Sequence, residues 1–155
     1  SMKLIKAVAQ LAFCLACTIQ ATAQNNVPLN ETNHNKPRLF ADLPEKATLH
    51  VTELENLLSL KVGSKVSANI AKNISIFGTV VSKSDPADKS VQSVVIKSLT
   101  RQGTIFTFTR TTDTNGTVSY LGRMLNRASG DALEITREGN GYVIRKQQAA
   151  AIVNE

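Results

Sequence analysis

Residues 104–125 read TIFTFTRTTDTNGTVSYLGRML, and this stretch decides the fold class. Phe106 and Phe108 alternate with Thr107 and Thr109, the period of two that marks a half-buried strand. Asn115-Gly116 tolerates the positive φ angles of a type I′ turn, so a second strand over Thr117 to Leu125 folds back on the first. With those two residues as the loop, Thr114 faces Thr117, Phe108 lies opposite Arg123, and Phe106 lies opposite Leu125. One face then carries Phe106, Phe108, Leu121 and Leu125, with Arg110 and Arg123 at its margin. The other carries Thr107, Thr109, Thr111, Tyr120 and Met124. Two Phe and two Leu bury the larger apolar area, which assigns the first face to the core. Tyr120 and Met124 are left outside, where an aromatic ring and a soft thioether can contact a partner. These two, with Arg110 and Arg123, are the candidate binding residues.

Further along the chain, Ala132 to Arg137 and Tyr142 to Lys146 form a second hairpin. A loop of Gly139-Asn140 pairs Ile135 with Ile144 and Glu134 with Arg145, so packing and charge favour one register. The tail Gln147 to Val153 is compatible with a short final helix. Upstream, VQSVVIKS over 91–98 has Val94, Val95 and Ile96 in succession, a sign of burial on both faces in a central strand. The polar segment 82–90 is a turn. Before it Val66, Ala68 and Ile70 alternate with polar residues, and Ile74, Ile76 and Val80 continue the pattern past Gly78, read as a bulge or bend. Thr52-Glu53-Leu54-Glu55 has the spacing of a capping box, Leu54, Leu57 and Leu58 share one helical face, and Gly63 marks the end. The expected fold is mainly β: a bent antiparallel sheet or small barrel of about six to seven strands, with one short N-terminal helix on its edge or mouth.

The start of the chain carries a different signal. Ser1, before Met2, reads as a tag remnant; Lys3 and Lys6 then precede a short apolar run from Ala7 to Ile19, followed by Ala21-Thr22-Ala23. This is the layout of a signal peptide cut after Ala23, with Gln24 as the new terminus. The run is shorter than the ~20 residues that span a bilayer, so no transmembrane anchor is expected after cleavage. Residues 1–23 are thus read as the signal peptide, 24–38 as a flexible Asn-rich leader and 39–155 as a single β-rich domain, periplasmic or extracellular. Both cysteines, Cys14 and Cys17, fall inside the signal, which leaves the mature chain without disulfides or thiol chemistry. Cys17 is a poor lipidation site because Leu15 stands where a small residue is wanted. Loss of Lys3 and Lys6 leaves 16 basic residues against 12 acidic ones, a net charge of +4. That bias is too mild for nucleic acid.

Little in the chain points to catalysis. His34 lies in the leader, and His50, in HVTELE, is a weak metal or general-base candidate better read as a half-exposed residue before the cap. No phosphate loop, dinucleotide fingerprint or Ca²⁺ loop is present, so no cofactor is expected. With no Trp and two Tyr the chain offers few platforms for sugars. Arg101, Arg110, Arg123, Arg127, Arg137, Arg145 and Lys146 cluster on or near the later strands, and their convergence would suit an anionic envelope polymer or an acidic protein face.

The segments LFADLP, TELENLL, GTVVSKS, SVVIKS and TFTRT, behind a lysine-start export signal, resemble small exported bacterial proteins of uncharacterised function. That resemblance implies no activity and transfers no site. The expectation is a non-enzymatic binding or interaction module outside the cytoplasm, with a secreted protease inhibitor or propeptide-like regulator as the alternative.

Overall fold

Apolar alternation carries the chain into strands eight times in the computed structural model, which describes residues 35–149. The elements are β1 (Lys46–Thr48), α1 (Val51–Ser59), β2 (Lys65–Ala71), β3 (Ile74–Lys83), β4 (Val91–Ser98), β5 (Thr104–Thr112), β6 (Val118–Asn126), β7 (Asp131–Glu138) and β8 (Gly141–Gln148). All pairs are antiparallel, in the order β1-β8-β7-β6-β5-β4-β3-β2, so the sheet is a meander with β1 added outside β8. It curls into a half-barrel whose edges meet at one point. There Leu49 bridges Ala71 at the end of β2, and its N–H bonds the Tyr142 carbonyl on β8 at 3.0 Å.

The eight strands exceed the six to seven read from sequence. The pattern taken as one run from Val66 to Val80 is a hairpin, turned at Lys72-Asn73 with Asn73 in the left-handed region (φ 61°). β1 has only three residues, too few for a period to register. Gly78 is not the bulge. The register shifts at Asn69/Ala71 and at Val80/Ser82, and Gly78 is needed because a Cβ there would stand 2.5 Å from Ile96 Cγ2 and 2.6 Å from the Lys97 carbonyl. On β4 Val94 and Ile96 are buried while Val95 is half-buried, so the strand is interior in the sheet but covered fully on one face only.

The first hairpin is one residue out of the expected register. Phe108 faces Gly122 and Phe106 faces Met124, while Thr109 faces Leu121. The cause lies in the loop. Gly116 N–H bonds the Asp113 carbonyl at 3.0 Å, Gly116 alone takes positive φ (81°), and Asp113 N–H bonds the Thr117 carbonyl at 3.0 Å. This is a type I turn closed by a glycine bulge, with a three-residue loop in place of the two-residue type I′ turn. Asp113 selects it, because its carboxylate accepts the N–H groups of Asn115 and Thr117, each at 2.8 Å. A slip of one residue turns every β6 side chain over. Phe106 and Phe108 are buried as expected, but Met124 joins them and Leu121 and Leu125 face outward, Leu121 61% exposed. In the second hairpin Ile135 pairs with Ile144 and Glu134 with Arg145, as read from sequence.

The helix begins without its capping box. His50 is the N-cap and makes no side-chain capping bond, and Thr52 lies inside the first turn. The backbone of His50 fixes the start instead: its N–H bonds the Ile70 carbonyl at 2.8 Å and its carbonyl accepts from Glu53 at 3.0 Å. Glu55 is drawn off to the sheet. Leu54 and Leu57 are buried against the concave face and Leu58 is half-buried. The helix ends at Ser59, ahead of Gly63, which takes φ 91° in the turn into β2.

Lys36 and Pro37, assigned to the leader, are bonded to the turn between β6 and β7: the Pro37 carbonyl accepts from Gly130 N–H at 2.8 Å and Lys36 Nζ donates to the Arg127 carbonyl at 3.1 Å. Phe40 is fully buried, its N–H 3.3 Å from both carboxylate oxygens of Asp131. Gln147 and Gln148 belong to β8, Ala149 is helical, and the rest of the expected final helix, 150–153, lies outside the described residues. Residues 1–34, where the signal peptide and most of the leader are expected, and residues 150–155 lie outside the described residues.

Candidate functional site

Of the four candidate binding residues, the fold joins two. Arg110 and Tyr120 are cross-strand partners on the concave face, at the end of the half-barrel that α1 covers. Tyr120 stacks on Phe108 (centroids 5.7 Å apart) and meets Tyr142 edge-on at 5.1 Å. Its Oη donates to Glu55 of α1 at 2.5 Å. Arg110 sets Nε 3.4 Å from the same Glu55 oxygen and donates to Gln92 Oε1 at 3.3 Å. Burial, and then the hydrogen bond and negative charge of Glu55, push the Tyr120 phenol above its ordinary pKa. Met124 is 5% exposed in the core, which corrects its outward placement. Arg123 lies on the opposite face from Arg110, with Nε 3.6 Å from Glu134.

Three of the other cations on or near the later strands are held by acids. Arg101 pairs with Asp42 at 2.5 Å and lies over the Phe40 ring, Arg145 pairs with Glu138 at 3.0 Å, and Lys146 pairs with Glu45 at 2.9 Å. His50 is exposed, with Nδ1 3.1 Å from the Asn69 carbonyl, a spacing that asks for the Nδ1–H tautomer. It edges a shallow recess of about 280 Å³ with Pro44, Lys46 and Lys72. Among the described residues no three His, Cys, Asp or Glu side chains gather to hold a metal, and no helix is long and apolar enough to cross a membrane.

A larger groove, about 630 Å³, opens where β3 outruns β2. β2 begins at Lys65 opposite Thr79, and beyond it the Val80 N–H bonds the Ser64 carbonyl at 2.9 Å while the Val80 carbonyl accepts from Gly63 at 2.8 Å. After the bulge Ser82 and Lys83 still pair with Val95 and Val94 of β4, so the far edge of Val81 to Lys83 has no strand beside it among the described residues. The overhang forms one wall. Leu58 and the Lys61-Val62 turn form another, the loop from Asp85 to Lys89 a third, and Gln92 and Ser93 the floor. Val62 (61% exposed) and Val81 (44%) supply apolar surface. Lys61, Lys83 and Lys89 outnumber Asp85, so the walls are net positive. Gln92, which lines the groove, also accepts from Arg110 of the Arg110–Glu55–Tyr120 cluster at 3.3 Å.

The groove leaves little trace in the sequence. Its one local sign is Val80-Val81, two apolar residues in succession where the period of two asks for one, which is how a bulge shows itself. In the sequence Glu55 reads as a capping residue or as a weak metal candidate beside His50, with no sign of Tyr120 or Arg110. The chain matches no protein-family model, no curated protein and no solved structure.

Proposed function

We propose that the protein is an exported, non-enzymatic binding module of the cell envelope or extracellular space, and that the groove beside β3 is its contact surface. The observation that carries this reading is the pair Val62 and Val81, large apolar side chains left exposed within a cationic concavity. The polar groups around them are occupied in ways that suit a rigid surface rather than a reaction. Lys83 Nζ donates to the Leu58 carbonyl at 2.5 Å, Ser84 Oγ accepts Ser93 N–H at 2.9 Å, and Asp85 accepts Ala87 N–H at 2.9 Å. Export rests on Lys3, Lys6, the apolar run and Ala21-Thr22-Ala23.

Expression in an exporting bacterium followed by mass spectrometry checks the second part: the mature chain begins at Gln24, and an acylated terminus at Cys17 refutes it. For the first part, the exported protein and its Val62→Ser, Val81→Ser double variant are compared as bait in envelope extract. Partners held by the wild type are lost from the variant while its urea midpoint is unchanged. Equal capture by both refutes the groove as the contact surface.

A further inference from the structure

We infer that the groove takes an extended acidic peptide, which adds as a strand to the open Val81 to Lys83 edge of β3. The inference rests on the binding-module reading and names its ligand class. Ser84 N–H is given to the Ser93 carbonyl at 3.1 Å, across the β3–β4 ladder. In an antiparallel ladder successive residues address opposite sides, so the N–H and C=O of Lys83 turn away from β4, toward the groove. No backbone group among the described residues meets them there. An exposed edge with polar backbone groups, an adjacent apolar patch and a limited length is what strand addition uses: main-chain bonds give affinity and the patch selects alternate side chains. Val62 and Val81 provide that patch.

Charge chooses among peptides. Lys61 and Lys89 are exposed on the groove walls, Lys83 adds its charge with Nζ given to the Leu58 carbonyl, and the carboxylate of Asp85 is turned to its own loop. Two of the walls each couple a lysine with a valine, Lys83 with Val81 and Lys61 with Val62, so a peptide carrying both acidic and aliphatic side chains meets both kinds. A sugar polymer finds no aromatic platform in the groove.

The test uses the purified protein and a fluorescent, end-blocked peptide of sequence Asp-Val-Glu-Val-Asp, followed by anisotropy. Saturable binding at least tenfold tighter than that of the Lys-Val-Lys-Val-Lys counterpart is expected. Two further peptides carry N-methyl groups at alternate sets of backbone amides; only one set faces β3, so one peptide loses about tenfold and the other binds as before. The double variant Lys61→Glu, Lys89→Glu, whose sites are exposed, keeps its urea midpoint and binds the acidic peptide at least tenfold more weakly. Equal binding of both N-methylated peptides overturns strand addition. Equal binding of the acidic and basic peptides overturns the charge argument, and binding of a sulfated oligosaccharide in place of the peptide overturns the ligand class. If no peptide binds yet Val62→Ser, Val81→Ser still abolishes envelope capture, strand addition fails and the binding module stands; if capture is also unchanged, both fail.

Discussion

Replacing Phe108 with alanine tests the sheet at its most crowded point. The ring is fully buried, flanked across the strands by Val94 on β4 and Gly122 on β6, and stacked on Tyr120 with ring planes 13° apart. Truncating a buried Phe costs about 3–5 kcal/mol, the lost transfer energy plus that of the cavity left behind. This site belongs at the upper end. Gly122 has no side chain to lean into the gap, and the stacked pair adds roughly 0.5–1.5 kcal/mol beyond area burial. Roughly 115 ordered residues at ~0.05–0.15 kcal/mol each give a stability of about 6–17 kcal/mol, so one substitution removes a large fraction of it. Urea denaturation should show a midpoint displaced by 4–5 kcal/mol's worth at unchanged slope, with a thermal midpoint on the order of 15 °C lower or more. Phe108→Leu, which keeps most of the volume, gives an intermediate loss if the alanine variant does not fold. Leu121→Ala, on the outer face, stays within about 0.5 kcal/mol of wild type. A loss under about 1 kcal/mol for Phe108→Ala, or an equal loss for Leu121→Ala, refutes the assignment of faces.

Other outcomes follow from single contacts. A Cβ on Gly122 would stand 2.5 Å from Ile135 Cδ1 and 2.9 Å from the Thr107 carbonyl, so Gly122→Ala should cost about 1–3 kcal/mol by overpacking, and adding Ile135→Val should recover part of that in a double-mutant cycle; strict additivity refutes the contact. Asp113→Ala removes the acceptor of two loop amides and should cost about 1 kcal/mol in denaturant midpoint, whereas Thr52→Ala, at a position that caps nothing, should be nearly silent. Titration of tyrosinate absorbance should show Tyr120 ionising above the ordinary value of 10.0, and Glu55→Gln should bring it down; identical curves refute the Glu55 contact. Because folding raises this pKa, the stabilisation of the neutral phenol is fully present below about pH 10 and is lost as pH rises through the folded-state value.

Local chemistry written within a few residues was legible in the sequence. Gly139, with φ 58°, takes the first central position of a two-residue loop, so the β7–β8 register could be counted directly from the loop. Leu54 and Leu57 follow the helical period and pack as that period demands. The mainly β class, with a helix before its long strands, came from the same kind of signal. The β5–β6 register did not, because Asn115-Gly116 fits two loops of different length and the choice belongs to the carboxylate of Asp113, which holds Asn115 and Thr117. Parity then moved Met124 into the core and Leu121 out of it. Glu55 could have closed a capping box; it bonds Tyr120 and Arg110 instead, residues more than fifty positions away in the chain that only the curl of the sheet brings beneath the helix. The groove likewise has no sequence of its own. It exists because β2 begins opposite Thr79 while β3 continues to Lys83, and because the helix ends at Ser59 above that overhang. Turn chemistry and periodicity act over a few residues and can be read there; where one strand outlasts its neighbour is a balance struck across the whole sheet, and that balance is visible only once it has folded.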